Sequence, residues 1–306
     1  MFGGIAIAGN LLAVASTDAR GRVYLFDLED ERLASSWTWS ADEGGASDAS
    51  GVAFDRAYNI YVADTRCDVV RSFSPFGLPG RVFGEPHDRE QGSTGRDARG
   101  RLDRPHAVAV HDDVLLVACG ERWLVRGVQR FALGGTVLPP LRAFGDEAGR
   151  FGAPQGLWAD AAGIWVADTQ HGVVQRFRVD GSFVAALATS RGEGTTSRPL
   201  AVLPLVARPL VALPLQAPAK SASPNAAASL LVADAGDAQG LVLVPPVGPL
   251  RFAPANAELV EPSALARDAR GRVHVLDRHG ERVVRLNEAL EIERVVVDLL
   301  EVGFGS

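Results

Sequence analysis

Residues 154–187 read PQGLWADAAGIWVADTQHGVVQRFRVDGSFVAAL. GLWAD is followed by Ala-Ala-Gly, IWVAD by Thr-Gln-His-Gly, VVQRFRV by Asp-Gly, and SFVAAL closes the stretch. Short runs rich in Val, Ile, Trp and Phe, bounded by Gly and Asp, read as strands joined by tight turns. The stretch is therefore expected to form one four-stranded antiparallel unit.

The unit recurs on both sides of this stretch. The valine of its second strand returns as Val14, Val62, Val117, Val166, Val232 and Val275, in the settings AVAS, YVAD, LVAC, WVAD, LVAD and HVLD. The intervals are 48, 55, 49, 66 and 43 residues. Four strands at such a period are the signature of propeller blades. No run carries apolar residues at i, i+3, i+4 and i+7, which excludes a solenoid of helix pairs. The expected fold is all-β: a six-bladed β-propeller of four-stranded antiparallel blades. Residues 1–306 are read as one propeller domain with an irregular insertion at about 198–229.

The quoted stretch, GVAFDRAYNIYVADTRCDVVRSF (51–73) and PSALARDARGRVHVLDRHGERVVRL (262–286) resemble NHL repeats. That pattern runs P-x-G-hydrophobic-A-hydrophobic-D, then hydrophobic-V-A-D-T, then two hydrophobics before Q-x-F. The resemblance extends over all six units and is weakest in the fifth. It implies a six-bladed propeller. It implies no single activity, because the family spans protein-binding, RNA-binding and lyase propellers.

The chain holds 306 residues with a formal net charge of −6 and 47% hydrophobic residues. That suffices for a large core and argues against general nucleic-acid binding, which needs a basic face to neutralise phosphates. Lys220 is the single lysine among 31 basic residues, a bias expected of a GC-rich bacterial genome. Two cysteines, Cys67 and Cys119, cannot build a disulfide framework, and free thiols fit a reducing, cytoplasmic setting. The N-terminal MFGGIAIAGNLLAVAS resembles a leader but has no Lys or Arg before Arg20, and its pattern aligns with unit one, so it reads as two strands. No run of eighteen apolar residues exists, so no membrane span is expected.

Unit five is irregular. RPLAVLPLVA (198–207) is followed by RPLVALPLQA (208–217), identical at seven of ten positions, and then by APAKSASPNAAAS. One copy should supply the innermost strand; the second is preferred because it lies nearer LLVADA. Units one and six each contain four strands of their own. Closure is thus expected from packing of unit six on unit one, helped by Val302 and Phe304, without strand exchange.

The repeated Asp64, Asp168, Asp234 and Asp277 end the second strands, and repetition points to architecture: carboxylates accepting N–H bonds from the next turn. In an NHL-type blade the residue after the leading proline faces the mouth of the central channel. The aligned set is Gly3, Ser50, His106, Gln155 and Ser263, with Leu200 or Leu210 in unit five. Pro105-His106 before AVAV resembles the Pro-His of the peptidyl-amidoglycolate lyase propellers, where three histidines hold zinc. Here one of six positions is His, whereas a catalytic zinc needs about three protein ligands. Lactonase-type propellers need acidic ligands at the axis, and these positions have none. No metal or other cofactor is expected. His171 and His279 match the Asn-His of the family's second-to-third strand turn, where a structural role is expected.

From the end of strand two to the third-strand aromatic or leucine, Asp64–Phe73, Asp168–Phe177 and Asp277–Leu286 each span 9 residues, whereas Cys119–Phe131 spans 12. The added length in unit three carries Arg122, Trp123 and Arg126, residue types that dominate binding hot spots. The reading is a non-catalytic scaffold binding a protein or peptide on its channel-mouth face, through Arg66, His106, Arg122, Trp123, Arg126, Gln155, Gln170, His171, Arg278 and His279. The alternative is a lyase or hydrolase of the peptidyl-amidoglycolate lyase or lactonase type with its site at the same mouth.

Trp123 separates two outcomes. As an interface anchor, Trp123→Ala should leave thermal stability intact and weaken partner binding by about 2 kcal/mol or more. If Trp123 folds back on its blade, the same change should destabilise by about 3 kcal/mol or more, read directly in thermal unfolding.

Overall fold

The structure is a computed structural model and describes residues 2–17, 20–39, 46–86, 99–119, 127–141, 149–189, 196–205, 229–236, 240–245, 251–252 and 259–303. Six four-stranded antiparallel sheets follow one another along the chain, each in simple up-and-down order. Their innermost strands are Phe2–Ala8, Ala49–Phe54, Pro105–His111, Pro154–Asp160, Pro199–Pro204 and Pro262–Arg267. Each inner strand touches the next, and the sixth touches the first, so the sheets form a closed six-bladed propeller.

The sequence explains the layers of each blade. Second strands such as Ile60–Asp64, Gly163–Asp168, Leu230–Asp234 and Val273–Asp277 are buried at every position. A middle strand meets a neighbouring blade on each face, so it must be apolar throughout. Outer strands alternate instead: Phe183–Ala188 switches between half-buried and exposed, one face packed and one in water. Inner strands crowd at the axis. A Cβ on Gly51 would lie 2.8 Å from Ala107 Cα, and one on Gly156 would lie 2.8 Å from Ala201 Cα, so these positions need glycine.

The core is a ring of six seams, each between two blades. The seam joining the ends of the chain contains Phe2, Ile5, Leu12, Val14, Tyr24 and Phe26 of blade one and Ala266, Leu276, Val283 and Val297 of blade six. Blade one uses only residues 2–38 and blade six only 262–298, so the ring closes by packing, as expected. Leu299, in a short helix Leu299–Gly303, adds to this seam, and Arg294 reaches Glu31 across it at 2.6 Å. Phe304 and the side chain of Val302 lie outside the described residues.

Blade five corrects one expectation. Its inner strand is Pro199–Pro204, the first copy of the duplicated segment. The residue before Arg decides the choice: Ser197 gives its hydroxyl to Asp234, and Arg198 N donates to Asp234 at 2.9 Å. In the second copy the position of Ser197 is taken by Ala207, which has no hydroxyl. Residues 206–228, with the second copy and most of the insertion, lie outside the described residues. Among the described residues no helix is long and apolar enough to cross a membrane.

Packing at the terminal seam sets a testable cost. Leu276 is fully buried there, and Leu276→Ala should destabilise by about 2–5 kcal/mol, measured by denaturant unfolding. A loss below about 1 kcal/mol, less than a buried leucine truncation costs elsewhere, would contradict closure by packing.

Candidate functional site: the channel mouth

A β-bulge recurs at the entrance of every inner strand. Pairing with the second strand shifts register between Phe2 and Gly4, Ala49 and Val52, Pro105 and Ala107, Pro154 and Gly156, Pro199 and Ala201, and Pro262 and Ala264. A bulge frees a residue from the ladder and re-aims its side chain. The freed positions hold Gly3, Ser50, His106, Gln155, Leu200 and Ser263, and all six line one cavity of about 290 Å³ at the channel mouth. This is the set that the aligned leading prolines place there. The cavity wall also includes Asp48, Arg104 and Arg278.

Four of the six bulges are held by the repeated aspartates. Asp168 accepts N–H bonds from Gly152 at 3.0 Å and Ala153 at 2.9 Å, immediately before the inner strand of its own blade. Asp234 accepts from Arg198 N at 2.9 Å, and Asp277 from Glu261 N at 2.8 Å and Val260 N at 3.2 Å. Asp64 accepts from Asp48 N at 3.2 Å. The next residue returns the bond: Thr65 N to Asp48 O, Thr169 N to Ala153 O, Ala235 N to Arg198 O and Arg278 N to Glu261 O, at 2.9–3.0 Å. The carboxylates thus clasp the strand entrance more than the following turn, although Cys67 N, Gly236 N and Gly280 N do donate to them. All four are buried. Their role is architectural, and they are unavailable as catalytic groups at the face.

Hydroxyls staple adjacent blades at the same level. Thr65 Oγ1 donates to Pro105 O and Thr169 Oγ1 to Pro199 O, each at 2.7 Å. Ser50 Oγ lies 3.1 Å from both Pro105 O and His106 O. Two blades lack the aspartate: Ser16 stands there in blade one and Cys119 in blade three, the blade that Arg104 enters. A carboxylate comes from blade two instead: Asp68 Oδ1 accepts Arg104 N at 2.7 Å. Both residues sit at positive φ, 56° for Asp68 and 45° for Arg104. Such backbone is sparsely populated outside glycine and persists only when its surroundings enforce it.

The expected site residues divide. His106, Gln155 and Arg278 line the mouth cavity. Arg66, Gln170, His171 and His279 lie in second-to-third strand turns at the same end of the ring, because each second strand ends beside the start of its inner strand. They do not line the cavity. His171 is committed to structure, its Nδ1 2.8 Å from Asp168 Oδ2. Arg66, Gln170 and His279 are exposed. Arg122, Trp123 and Arg126 fall in 120–126, outside the described residues. Sequence reasoning missed Arg104 and Asp48. They precede the inner strand, where the aligned residues are Ala153, Arg198 and Glu261, so no shared type marked the position.

The donor set at the mouth does not fit the zinc of the lyase propellers. One imidazole, His106, faces a glycine, two serines, a glutamine and a leucine. Among the described residues no three His, Cys, Asp or Glu side chains gather as a metal-binding group. Gln155 is half-buried and its amide makes no hydrogen bond to another described residue. At the opposite end of the channel a cavity of about 300 Å³ is lined by apolar residues such as Ile7 and Trp158 and by Asp55, Arg56, Asp112 and Arg267, the last stacked 5.5 Å over the Trp158 ring.

Both cysteines are free. Burial pushes the Cys119 thiol up to about 12, and burial likewise raises Cys67. Burial alone would raise the Asp64 carboxyl too, but hydrogen bonds from Trp39, Arg71, Ser47 and Cys67 outweigh it and hold the group below its ordinary value of 3.8. A depressed carboxyl stabilises the fold fully above its unfolded pKa, and the contribution vanishes as pH falls through the lower folded value. Asp64→Asn should therefore cost stability at pH 7, by about 3 kcal/mol for an ion pair broken on one side, with the gap to the parent closing at strongly acidic pH. A gap independent of pH, measured by chemical denaturation, would contradict an ionised clasp.

No family model matches the sequence, and no curated protein does. Solved structures do match. A chain of the nidogen/laminin complex is 14% identical and aligns over 93% of this chain and 92% of its own, with a TM-score of 0.61. Virginiamycin B lyase from Staphylococcus aureus is 8% identical over 95% of this chain and 83% of its own, at a TM-score of 0.59. A streptogramin B lyase structure is 12% identical over 90% and 89%, at 0.53. At such identities the likeness is one of fold, and it places the chain among six-bladed propellers.

Proposed function

We propose that this chain is a non-catalytic propeller scaffold of NHL type that binds a protein or peptide on its channel-mouth face. The observation that carries the reading is the six-fold bulge. It turns one residue per blade into a common bowl, and those residues vary in type while the aspartate clasp repeats beneath four of them. A varied surface on a repeated frame suits recognition, since rigid scaffolds hold variable positions for binding. The Gln155 amide is free to bond a peptide backbone, and Leu200 gives an apolar contact beside it. The exposed Arg66, Gln170 and His279 extend the surface around the bowl. One neighbour of similar fold is a chain of the nidogen/laminin complex.

The lyase or hydrolase alternative has less support. It needs convergent ligands or a base–nucleophile pair at the mouth, and the described lining offers one imidazole, one carboxylate and two arginines. The free thiols agree with a reducing, cytoplasmic setting for the scaffold.

The test is selection of random dodecapeptides on the purified full chain. Selected peptides should bind the parent and lose binding to a His106→Ala, Gln155→Ala double variant by about tenfold or more, the loss expected for two direct contacts. A control change at the other end of the ring, Phe76→Ser in an exposed third-to-fourth strand turn, should leave binding unchanged. Binding that survives the mouth variant and fails in the control would place the site on the wrong face.

A further inference from the structure

The charges around the bowl are not distributed like those of the whole chain. The protein carries −6, yet among the described residues the ionised side chains lining the mouth cavity are two arginines, Arg104 and Arg278, and one aspartate, Asp48. Arg104 belongs to blade three and Arg278 to blade six, which face each other across a six-bladed ring. Each is positioned by the frame. Arg104 is held in left-handed backbone by the Asp68 carboxylate on its N–H, and Arg278 N is tied to Glu261 O at 2.9 Å.

Arg278 is also incompletely satisfied. Its Nη1 reaches Glu261 Oε1 at 3.4 Å, a long, partly exposed pair. Its Nε is buried and meets no acceptor among the described residues. A guanidinium offers five N–H donors in a planar fork and pairs best with a carboxylate. With one long pair to Glu261, the part of the guanidinium that faces the cavity keeps donors for a ligand carboxylate. Asp48, on the blade-two edge of the bowl, offers no such donor.

We infer that the mouth is built for an acidic peptide segment, which crosses the bowl with its carboxylates toward Arg104 on one rim and Arg278 on the opposite rim. The inference rests on the peptide-binding reading and names its ligand chemistry. A nucleic acid is also anionic, but it needs a continuous basic track along its phosphates. Two arginines on opposite sides of a bowl of about 290 Å³ do not make such a track.

The experiment is the dodecapeptide selection, read for composition and repeated on Arg278→Gln, Arg278→Lys and Arg104→Gln chains, with thermal unfolding confirming that each variant folds. Peptides selected on the parent should be enriched in Asp and Glu over the input library. They should bind the Arg278→Gln chain about tenfold or more weakly, the loss of one charge-assisted hydrogen bond, with partial rescue in the Arg278→Lys chain. Arg104→Gln should act in the same direction. Peptides that bind without acidic enrichment, or that ignore both glutamine changes, would overturn the inference and leave the peptide-binding reading standing. Failure to select any peptide would overturn both. Equal competition by a thymidine oligonucleotide would also overturn it, in favour of a nucleic-acid ligand.

Discussion

The buried carboxylate at the end of the second strand is the interaction on which the strand entrances of four of the six blades depend. A strand entering the centre of the ring must leave the preceding blade, turn, and start pairing at the right place. Asp64, Asp168, Asp234 and Asp277 fix that place by accepting backbone N–H groups just before the inner strand. Burying a carboxylate is costly unless its oxygens are satisfied, so each clasp forms as a whole set of bonds. Once the entrance is fixed, the bulge follows, and with it the single side chain per blade that faces the mouth. Architecture and candidate site are therefore one construction seen from two sides.

Blade three shows how the construction tolerates change. Cys119 cannot act as a carboxylate, and burial keeps it a neutral thiol. The acceptor for Arg104 N comes from Asp68 in the preceding blade. The exchange ties blade three to blade two more directly than the other entrances are tied. It also leaves Arg104 in a strained left-handed conformation at the rim of the bowl. This blade brings both His106 and an arginine to the mouth.

Much of this was legible in the sequence, for physical reasons. Strand periodicity and the repeated Val-Ala-Asp setting reveal six blades, because middle strands must be apolar on both faces and their ends must be capped. The mouth set Gly3, Ser50, His106, Gln155 and Ser263 follows from aligning leading prolines, because the bulge occurs at one register position in every blade. Blade five was misread, since the two segments share seven of ten positions and the Ser197 hydroxyl that ties the first copy to Asp234 lies just outside the repeat. Arg104 and Asp48 were not visible. Their importance depends on where an irregular approach to the strand sends a side chain, and a pattern of residue types does not encode that. The aspartates look like turn caps in sequence, while in three dimensions they reach back across the blade to the strand entrance.

Hydrogen exchange of the full chain, measured by mass spectrometry with and without a selected peptide, bears most directly on the claim that the mouth is the binding face. The account predicts slower exchange on binding in segments around residues 102–108, 153–158 and 276–280, which contribute to the mouth and its adjoining turns. Slower exchange confined to the third-to-fourth strand turns at the other end of the ring, such as residues 74–78, would contradict it.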